Sequence, residues 1–247
     1  MRCTRNFNWR RICERMEIKK ILITGASSDI GFKLTEKLLK NNYKVIGTYN
    51  KNKKKLLKLK KEFENLEIIK INFEIDDLKK IKFNNVDCFI SLHGYMKKKN
   101  KQKHNEVDFQ KHISINYFKN LIIIDKLLLE MKKKKFGRIY LTSSVGTKYG
   151  GSEETLYYSL SKYLNEFYPS YLKKLIKFNI ILNTIMIGLV DTKFHNKMKN
   201  KNMSKRIKLT PTKKIITVEQ MSDNIFNIIT NKDNLFMNTQ INLTNGE

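Results

Sequence analysis

The sequence predicts an α/β protein built on a doubly wound, parallel, seven-stranded sheet and folded as a single domain. Short apolar runs alternate along the chain with longer segments of helical periodicity, which is typical of parallel sheets with crossover helices. A glycine-containing turn, Thr24–Gly31, follows the first apolar run and opens a helical pattern. The chain has 247 residues, 40% of them hydrophobic, and can therefore bury one sizeable core.

Seven apolar runs are the predicted strands. In chain order they are Ile21–Thr24, Val45–Thr48, Ile68–Phe73, Val86–Ser91, Arg138–Thr142, Ile180–Met186 and Gln240–Leu243. The clearest helices are Ile30–Asn41, Asn116–Lys135 and Tyr157–Phe178. Pro169 interrupts the last helix and predicts a kink or an irregular turn, because proline lacks the N–H group that a helix needs.

The first turn is a candidate phosphate-binding site. Glycines let the backbone approach a ligand, and the N-terminus of the following helix offers unpaired N–H groups to a pyrophosphate. A nucleotide is the first candidate ligand, although the turn could also serve only to reverse the chain. Asp29 occupies the place where an intervening glycine is usually found, and aspartate tolerates a positive φ. Its carboxylate must point away from bound phosphates.

The net charge of +27 comes from lysines that are scattered through the whole chain. Runs such as Lys53–Lys55 and Lys132–Lys135 are typical of solvated basic faces, so nucleic-acid binding is not the predicted primary role. A basic surface would attract acidic substrates or an acidic carrier protein.

Residues 1–15 differ in composition from the rest of the chain and contain five of its seven arginines. They could be a targeting segment, but a start at Met16 explains them better, so we assign the domain to residues 16–247. No apolar run approaches the roughly 18 residues that cross a bilayer. The three cysteines form no metal or disulfide pattern, which favours a cytoplasmic location.

Polar side chains at the end of the fifth strand mark a candidate catalytic site. Ser144 ends this strand, Tyr158 lies fourteen residues later, and Lys162 follows one helical turn beyond. Tyr-x-x-x-Lys pairs occur three times here, close to the number that chance gives, but only this pair follows a strand that ends in serines. On a helix the two side chains share a face.

The chemistry of this pair suits proton transfer. A free phenol has a pKa near ~10, and a neighbouring cation is expected to lower the pKa of Tyr158 so that it can give or take a proton. The Ser144 hydroxyl could bind a substrate carbonyl oxygen, while hydride transfer is the task of a nicotinamide cofactor at the first turn.

In these motifs residues 17–247 resemble the short-chain dehydrogenases/reductases of the single-domain branch, which have a Rossmann-type fold. Thr24–Gly31 is similar to the family's T-G-x-x-x-G-x-G turn, and Ser144, Tyr158 and Lys162 match its active site. Asn116 matches a fourth catalytic residue, which in the family holds a water that connects the lysine to a proton relay. The stretch 187–192 resembles the segment that covers the nicotinamide.

The resemblance also implies a set of cofactor contacts. These are Gly25, Ser27, Ser28, Asp29, Ile30, Gly31, Thr48, Asn50, Lys51, Asn72, Phe73, His93, Gly94, Tyr158, Lys162, Gly188, Val190 and Thr192. The end of the second strand, Gly47–Lys51, contains no carboxylate and is followed by lysines. A 2′-phosphate would therefore be accepted there, and we expect NADPH to be preferred over NADH. The alternative is that these lysines only reflect the lysine-rich composition of the whole chain.

Three positions depart from the family pattern. The family's N-N-A-G reads Ser91-Leu92-His93-Gly94, so the asparagine that ties the strands together is absent. Ile187 replaces a proline, and Asp29 replaces a glycine. None of these changes removes a catalytic group, so we expect an active enzyme.

The histidines have no metal-ligand spacing, so no metal is predicted. His93 could contact substrate or cofactor, or could simply pack in the core. His104, His112 and His195 lie in polar sequence and are predicted to be surface residues.

The predicted function is hydride transfer between a nicotinamide cofactor and a ketone or secondary alcohol. The resemblance to 3-oxoacyl-carrier-protein reductases is general, and surface-sugar and polyketide pathways use the same motifs. A catalytically silent dinucleotide-binding protein is the alternative, whereas the chain is too short for an extended-branch epimerase. The segment 193–210 should close the substrate pocket. The resemblance implies a tetramer or dimer formed through helices 116–135 and 157–178.

Overall fold

The computed structural model describes residues 17–99, 103–193, 203–231 and 236–247. The N-terminal extension assigned to residues 1–15 lies outside the described residues, as does His195.

A seven-stranded sheet forms the centre of the molecule, as predicted. The strands are β1 (Lys20–Thr24), β2 (Lys44–Tyr49), β3 (Leu66–Lys70), β4 (Cys88–Ser91), β5 (Gly137–Ser144), β6 (Ile180–Ile187) and β7 (Gln240–Leu243). Their order is β3-β2-β1-β4-β5-β6-β7, and every neighbouring pair is parallel. The strand order reverses between β1 and β4, where ligands bind in sheets of this kind.

Helices cover both faces of the sheet. They are α1 (Asp29–Lys40), α2 (Lys54–Glu62), α3 (Glu106–Ile113), α4 (Lys119–Lys134), α5 (Leu156–Tyr163), α6 (Ser170–Lys173), α7 (Met203–Leu209) and α8 (Val218–Thr230). Successive residues of a strand point to opposite faces, so Ile21 and Ile23 of β1 enter one core and Leu22 enters the other. The first core contains side chains of α1, α2 and α8, and the second contains side chains of α4.

Helix α1 begins where the sequence supplies a cap. Ser28 is extended, and its hydroxyl accepts a hydrogen bond from Gly31 N at 3.1 Å. Leu34 and Leu38 lie on the face that is buried in the first core. The helix therefore directs its N-terminus towards the end of β1 while its apolar face holds it on the sheet.

Two predicted helices differ from the structure. The helix expected at 116–135 is preceded by α3 and by a π-helical segment, Ser114–Phe118, before α4 begins at Lys119. The helix expected at 157–178 is broken, because α5 ends at Tyr163 and the chain is extended at Phe167. Pro169 explains the break, since a proline disfavours helical geometry in the residue before it.

Smaller differences concern strand ends. The third strand spans 66–70 rather than 68–73, and the fourth begins at Cys88 rather than Val86. Among the described residues, no helix is both long enough and apolar enough to cross a membrane.

Candidate active site

A cleft of about 780 Å³ opens at the carboxyl ends of the strands. Its walls come from the turn after β1, the ends of β2 and β5, the segment after β4, helix α5 and the segment after β6. Of the site residues that the sequence predicts, all except Gly31 and Asn116 line this cleft. One continuous space thus connects the glycine turn with the Ser144, Tyr158 and Lys162 side chains.

The turn after β1 requires both of its glycines. Gly25 has a φ of +73°, and a Cβ there would lie 2.7 Å from the backbone nitrogen of His93. A Cβ on Gly31 would overlap the Gly25 carbonyl oxygen, so Gly31 allows α1 to approach the turn. The Gly25 N–H donates to the Thr48 hydroxyl at 3.1 Å and ties the turn to β2.

Asp29 is the first residue of α1 and has no positive φ, so the tolerance expected of it is not used. Its carboxylate accepts a hydrogen bond from Lys193 N at 2.9 Å. The Lys55 ammonium lies 3.5 Å from the other carboxylate oxygen. Asp29 therefore links the turn to the segment after β6.

The three side chains that the sequence predicts to be catalytic line the cleft beside the end of β5. The Ser144 and Tyr158 hydroxyls are hydrogen-bonded to each other. Lys162 is buried on the same helix, and its ammonium donates to Thr142 O at 3.2 Å and to Thr142 Oγ1 at 3.3 Å. The helical spacing and the position after a serine-ended strand, both read from the sequence, bring these groups together.

The expected lowering of the Tyr158 pKa is wrong for this structure. Burial raises the pKa of Tyr158 to about 12, and the hydrogen bond with Ser144 opposes that rise only in part. Burial also lowers the pKa of Lys162 to about 8. Desolvation disfavours the charged form of both groups. Tyr158 is therefore protonated at neutral pH, which is the state that a proton donor needs.

Asn116 lies behind the wall of the cleft and is fully buried in the π-helical segment. Its side chain donates to Ser161 Oγ and Tyr95 O, both at 2.8 Å, and accepts from Tyr95 N at 2.6 Å. Its backbone carbonyl accepts from the side-chain amides of Asn120 and Asn165, each at 3.0 Å. Protein groups already bond to these acceptor atoms. A water on Asn116 that takes part in a proton relay therefore stays a prediction from the resemblance.

A buried polar network replaces the asparagine that the family pattern has at position 91. The Ser91 hydroxyl donates to Asn120 Oδ1 at 2.8 Å, and Thr142 Oγ1 donates to Ser91 O at 2.6 Å. Asn120 Nδ2 also donates to Asn165 Oδ1 at 3.2 Å. These bonds join β4, β5, α4 and the end of α5. Asn120 and Asn165 had no sequence signal, because their partners are distant in the chain.

His93 packs in the core and also lines the cleft, so its contact with substrate or cofactor stays a prediction. It is buried, and its ring stacks on Phe73 with a centroid separation of 3.9 Å. Its Nε2 lies 2.9 Å from Ile115 O, and its Nδ1 lies 2.7 Å from Thr24 Oγ1.

The prediction that His112 is a surface residue is wrong. The side chain is fully buried, with Nδ1 donating to Asp108 O at 2.6 Å and Nε2 accepting from Lys97 N at 3.2 Å. Helix α3 packs its His112 against the rings of Tyr95 and Tyr157, which the local polar sequence does not reveal. His104 is exposed, as predicted. No group of side chains suited to a metal ion occurs among the described residues.

Comparison with known proteins finds a family model, described as short chain dehydrogenase, that matches residues 19–203. A curated relative is the 3-oxoacyl-[acyl-carrier-protein] reductase FabG of Buchnera aphidicola subsp. Baizongia pistaciae (strain Bp). It is 26% identical over 239 residues, which cover 92% of this chain and 97% of the relative.

Solved structures share the fold. ElxO with NADP bound has a TM-score of 0.78 at 20% identity, covering 93% of this chain and 98% of that one. A 3-oxoacyl (acyl-carrier-protein) reductase from Agrobacterium tumefaciens C58 with NADP bound has a TM-score of 0.80 at 17% identity, covering 98% and 100%. A 4-hydroxyisoleucine dehydrogenase complexed with NADH has a TM-score of 0.78 at 21% identity, covering 92% and 98%.

Proposed function

The chain belongs to the short-chain dehydrogenase family, and we propose that it reduces a ketone to a secondary alcohol with NADPH. One observation carries the proposal. The Ser144, Tyr158 and Lys162 side chains line the same cleft as the glycine turn, so a proton donor and a dinucleotide site share one space. The 26% identical relative is a reductase that acts on 3-oxoacyl groups by its name, which supports the same direction of reaction.

The residues of the cleft fit a dinucleotide. Gly25 lets the turn pack directly against the backbone of His93, and the capped N-terminus of α1 opens towards the cleft. When bound, the nicotinamide supplies the hydride. Gly188, Val190 and Thr192 line the cleft after β6, where the resemblance places the nicotinamide cover.

Tyr158 holds the proton that the substrate receives. Its raised pKa keeps the phenol protonated, and a phenol gives up its proton readily only when its anion is stabilised. The Ser144 hydroxyl, hydrogen-bonded to the phenol, marks the place of the carbonyl oxygen between the two groups. As the proton leaves, the Lys162 ammonium stabilises the phenolate.

Three polar residues in the cleft support a preference for NADPH over NADH. Thr48, Asn50 and Lys51 lie at the end of β2, where the ribose of a dinucleotide is expected. The Thr48 oxygen accepts from Gly25 N, which leaves the hydroxyl proton free to bind a phosphate. Of the three solved structures described above, two hold NADP and one holds NADH, so the preference belongs to the proposal and needs its own test.

The substrate we propose is a 3-oxoacyl thioester, carried by an acidic carrier protein. Tyr95, Met96 and Tyr149 give the cleft an apolar lining, which suits an acyl chain. Lys193 and Arg206 also line it, and together with the chain-wide positive charge they favour an acidic partner. A surface-sugar reductase has no specific observation in its favour.

We also propose a homo-oligomer in the cytoplasm. Large apolar side chains are exposed on and beside α4 and α5. They are Phe118, Leu129, Leu156, Leu160, Tyr163 and Phe167. Such a surface is typical of an interface, and the resemblance assigns an oligomer contact to these helices. Sedimentation of the purified chain would measure the oligomeric state.

The test of function is NADPH oxidation with a panel of ketones that includes 3-oxoacyl thioesters on a carrier protein and on a short pantetheine analogue. We expect turnover with the wild type and loss of turnover with Tyr158→Phe. Tyr171→Phe is the matched control, because Tyr171 is exposed on α6 and does not line the cleft. NADPH binding without turnover on any ketone would instead support the catalytically silent dinucleotide-binding protein.

A further inference from the structure

His93 lines the cleft and lies between the end of β1 and the π-helical segment. It follows β4, its ring is buried against Phe73, and its two ring nitrogens contact different elements. On one side is Thr24, the last residue of β1, and on the other is Ile115 in the π-helical segment. The family pattern has a small residue at this position, and a small side chain could not make these two contacts.

The hydrogen bonds of His93 determine its tautomer. A carbonyl oxygen can only accept, so Nε2 carries the proton and donates to Ile115 O at 2.9 Å. Nδ1 then accepts from the Thr24 hydroxyl at 2.7 Å. Burial and the nearby Lys162 charge lower the pKa of His93 to about 3, in agreement with a neutral ring. Both nitrogens are occupied, so the ring is not arranged to exchange protons with a substrate.

Each partner of His93 is one residue away from a functional group. Thr24 precedes Gly25, whose position is so close to His93 that a Cβ would lie 2.8 Å from the His93 Cα. Ile115 precedes Asn116, which donates to Ser161 Oγ, next to Lys162 on α5. The path from the glycine turn to the catalytic helix therefore passes through His93, Ile115 and Asn116.

We propose that His93 is a positioning residue that fixes the glycine turn relative to the π-helical segment, and through Asn116 sets the position of the catalytic helix. This inference rests on the proposed reductase function for its kinetic readout. The two other readouts, the tautomer of His93 and the affinity for NADPH, do not depend on that reductase function. The ring replaces a small side chain and joins the ends of β1 and β4, which the sheet already pairs at Thr24 and Ser91, to the π-helical segment, which the sheet does not hold.

The first experiment measures the tautomer by nitrogen NMR of the histidine side chains in the full chain at neutral pH. We expect the His93 signal, assigned with His93→Gln, to show a protonated Nε2 and an unprotonated Nδ1. Thr24→Val, which is of similar shape and removes only the hydroxyl donor, should shift the Nδ1 resonance. A charged ring or a protonated Nδ1 overturns the proposal.

The second experiment uses two double-mutant cycles. Thr24→Val and His93→Gln are combined and the dissociation constant of NADPH is measured by fluorescence. His93→Ala, which cannot donate to Ile115 O, and Asn116→Ala are combined and kcat is measured at saturating NADPH and ketone. We expect each pair to depart from additivity by about three- to tenfold, as contacting residues in one network do. Additivity in either cycle overturns the proposal.

A comparison of His93→Gln with His93→Ala separates a positioning role of the His93 ring from a role in which it only fills space. His93→Gln can still donate to Ile115 O, whereas His93→Ala cannot, so the glutamine variant should keep at least about threefold more of the wild-type kcat. Equal kcat in two variants that are equally folded by circular dichroism would contradict the role. If His93→Ala does not fold, the dissociation constant of NADPH is compared between Thr24→Val and the wild type instead. His104→Ala, at an exposed position, is the control.

If no ketone is reduced by the wild type, the proposed function fails, while the tautomer of His93 and the NADPH double-mutant cycle still decide this inference.

Discussion

Asn116 and Tyr95 exchange two hydrogen bonds, with Tyr95 N donating to Asn116 Oδ1 at 2.6 Å and Asn116 Nδ2 donating to Tyr95 O at 2.8 Å. A side-chain amide thus pairs with a backbone segment as a neighbouring strand would. Tyr95 lines the cleft, so the bond pair fixes the wall between β4 and α3. The π-helical segment directs Asn116 towards this wall, and such segments occur frequently at functional sites.

The first prediction concerns this pairing. Asn116→Ala should lower the free energy of unfolding by about 1–3 kcal/mol, because it leaves polar groups without partners. It should also raise KM for the ketone, since the Tyr95 wall loses its support. Urea unfolding and steady-state kinetics measure the two effects. Asn224→Ala, at an exposed position on α8, is the control and should change neither. An unchanged unfolding midpoint for Asn116→Ala would show that the pair contributes little.

Tyr158→Phe should reduce turnover by at least about 100-fold, because it removes the proton donor. The dissociation constant of NADPH should change little, since the glycine turn is untouched. Stopped-flow kinetics and cofactor fluorescence separate the two quantities. A variant that keeps more than about a tenth of the wild-type rate on a verified substrate would rule out this role for Tyr158.

The rate of reduction should depend on pH through Lys162. Burial lowers the pKa of this residue to about 8, so its ammonium is present below that pH and is lost above it. Tyr158, with a pKa of about 12, stays protonated over the same range. We therefore expect kcat to be constant below pH 8 and to fall above it. Lys162→Met should abolish this inflection along with most of the activity. A rate that rises between pH 8 and 9 would contradict the assignment.

The sequence was sufficient for the existence of the strands and for the helical turn that carries Tyr158 and Lys162, for different physical reasons. A strand that is buried on both faces is a continuous apolar run in the sequence. Ser144, Tyr158 and Lys162 share one cleft because Ser144 ends a strand and the other two residues lie one helical turn apart. His112 and the raised pKa of Tyr158 could not be predicted, since both depend on burial by elements distant in the chain. The π-helical segment likewise has partners only in tertiary structure.

Asp29 should weaken cofactor binding in the wild type, because its carboxylate lies at the helix end where a diphosphate is expected. Asp29→Asn removes the charge but keeps an oxygen that can accept from Lys193 N. We expect NADPH to bind about threefold more tightly and the free energy of unfolding to fall by about 0.3–1 kcal/mol, as a first-turn acidic group is lost. Glu36→Gln on the same helix is the control. Weaker NADPH binding by Asp29→Asn would show that the carboxylate helps the cofactor.

Thr48 should decide between NADPH and NADH. Its oxygen accepts from Gly25 N at 3.1 Å, and an aspartate could accept the same bond, so Thr48→Asp should leave the turn intact. The new carboxylate would repel a 2′-phosphate and accept hydrogen bonds from ribose hydroxyls. We expect the ratio of NADPH to NADH affinity to fall by about tenfold or more, equivalent to about 1.4 kcal/mol. Thr48→Ser keeps the hydroxyl and should keep the wild-type ratio. Titration of both reduced cofactors by fluorescence measures the ratio, and equal or tighter NADH binding by the wild type would contradict the preference.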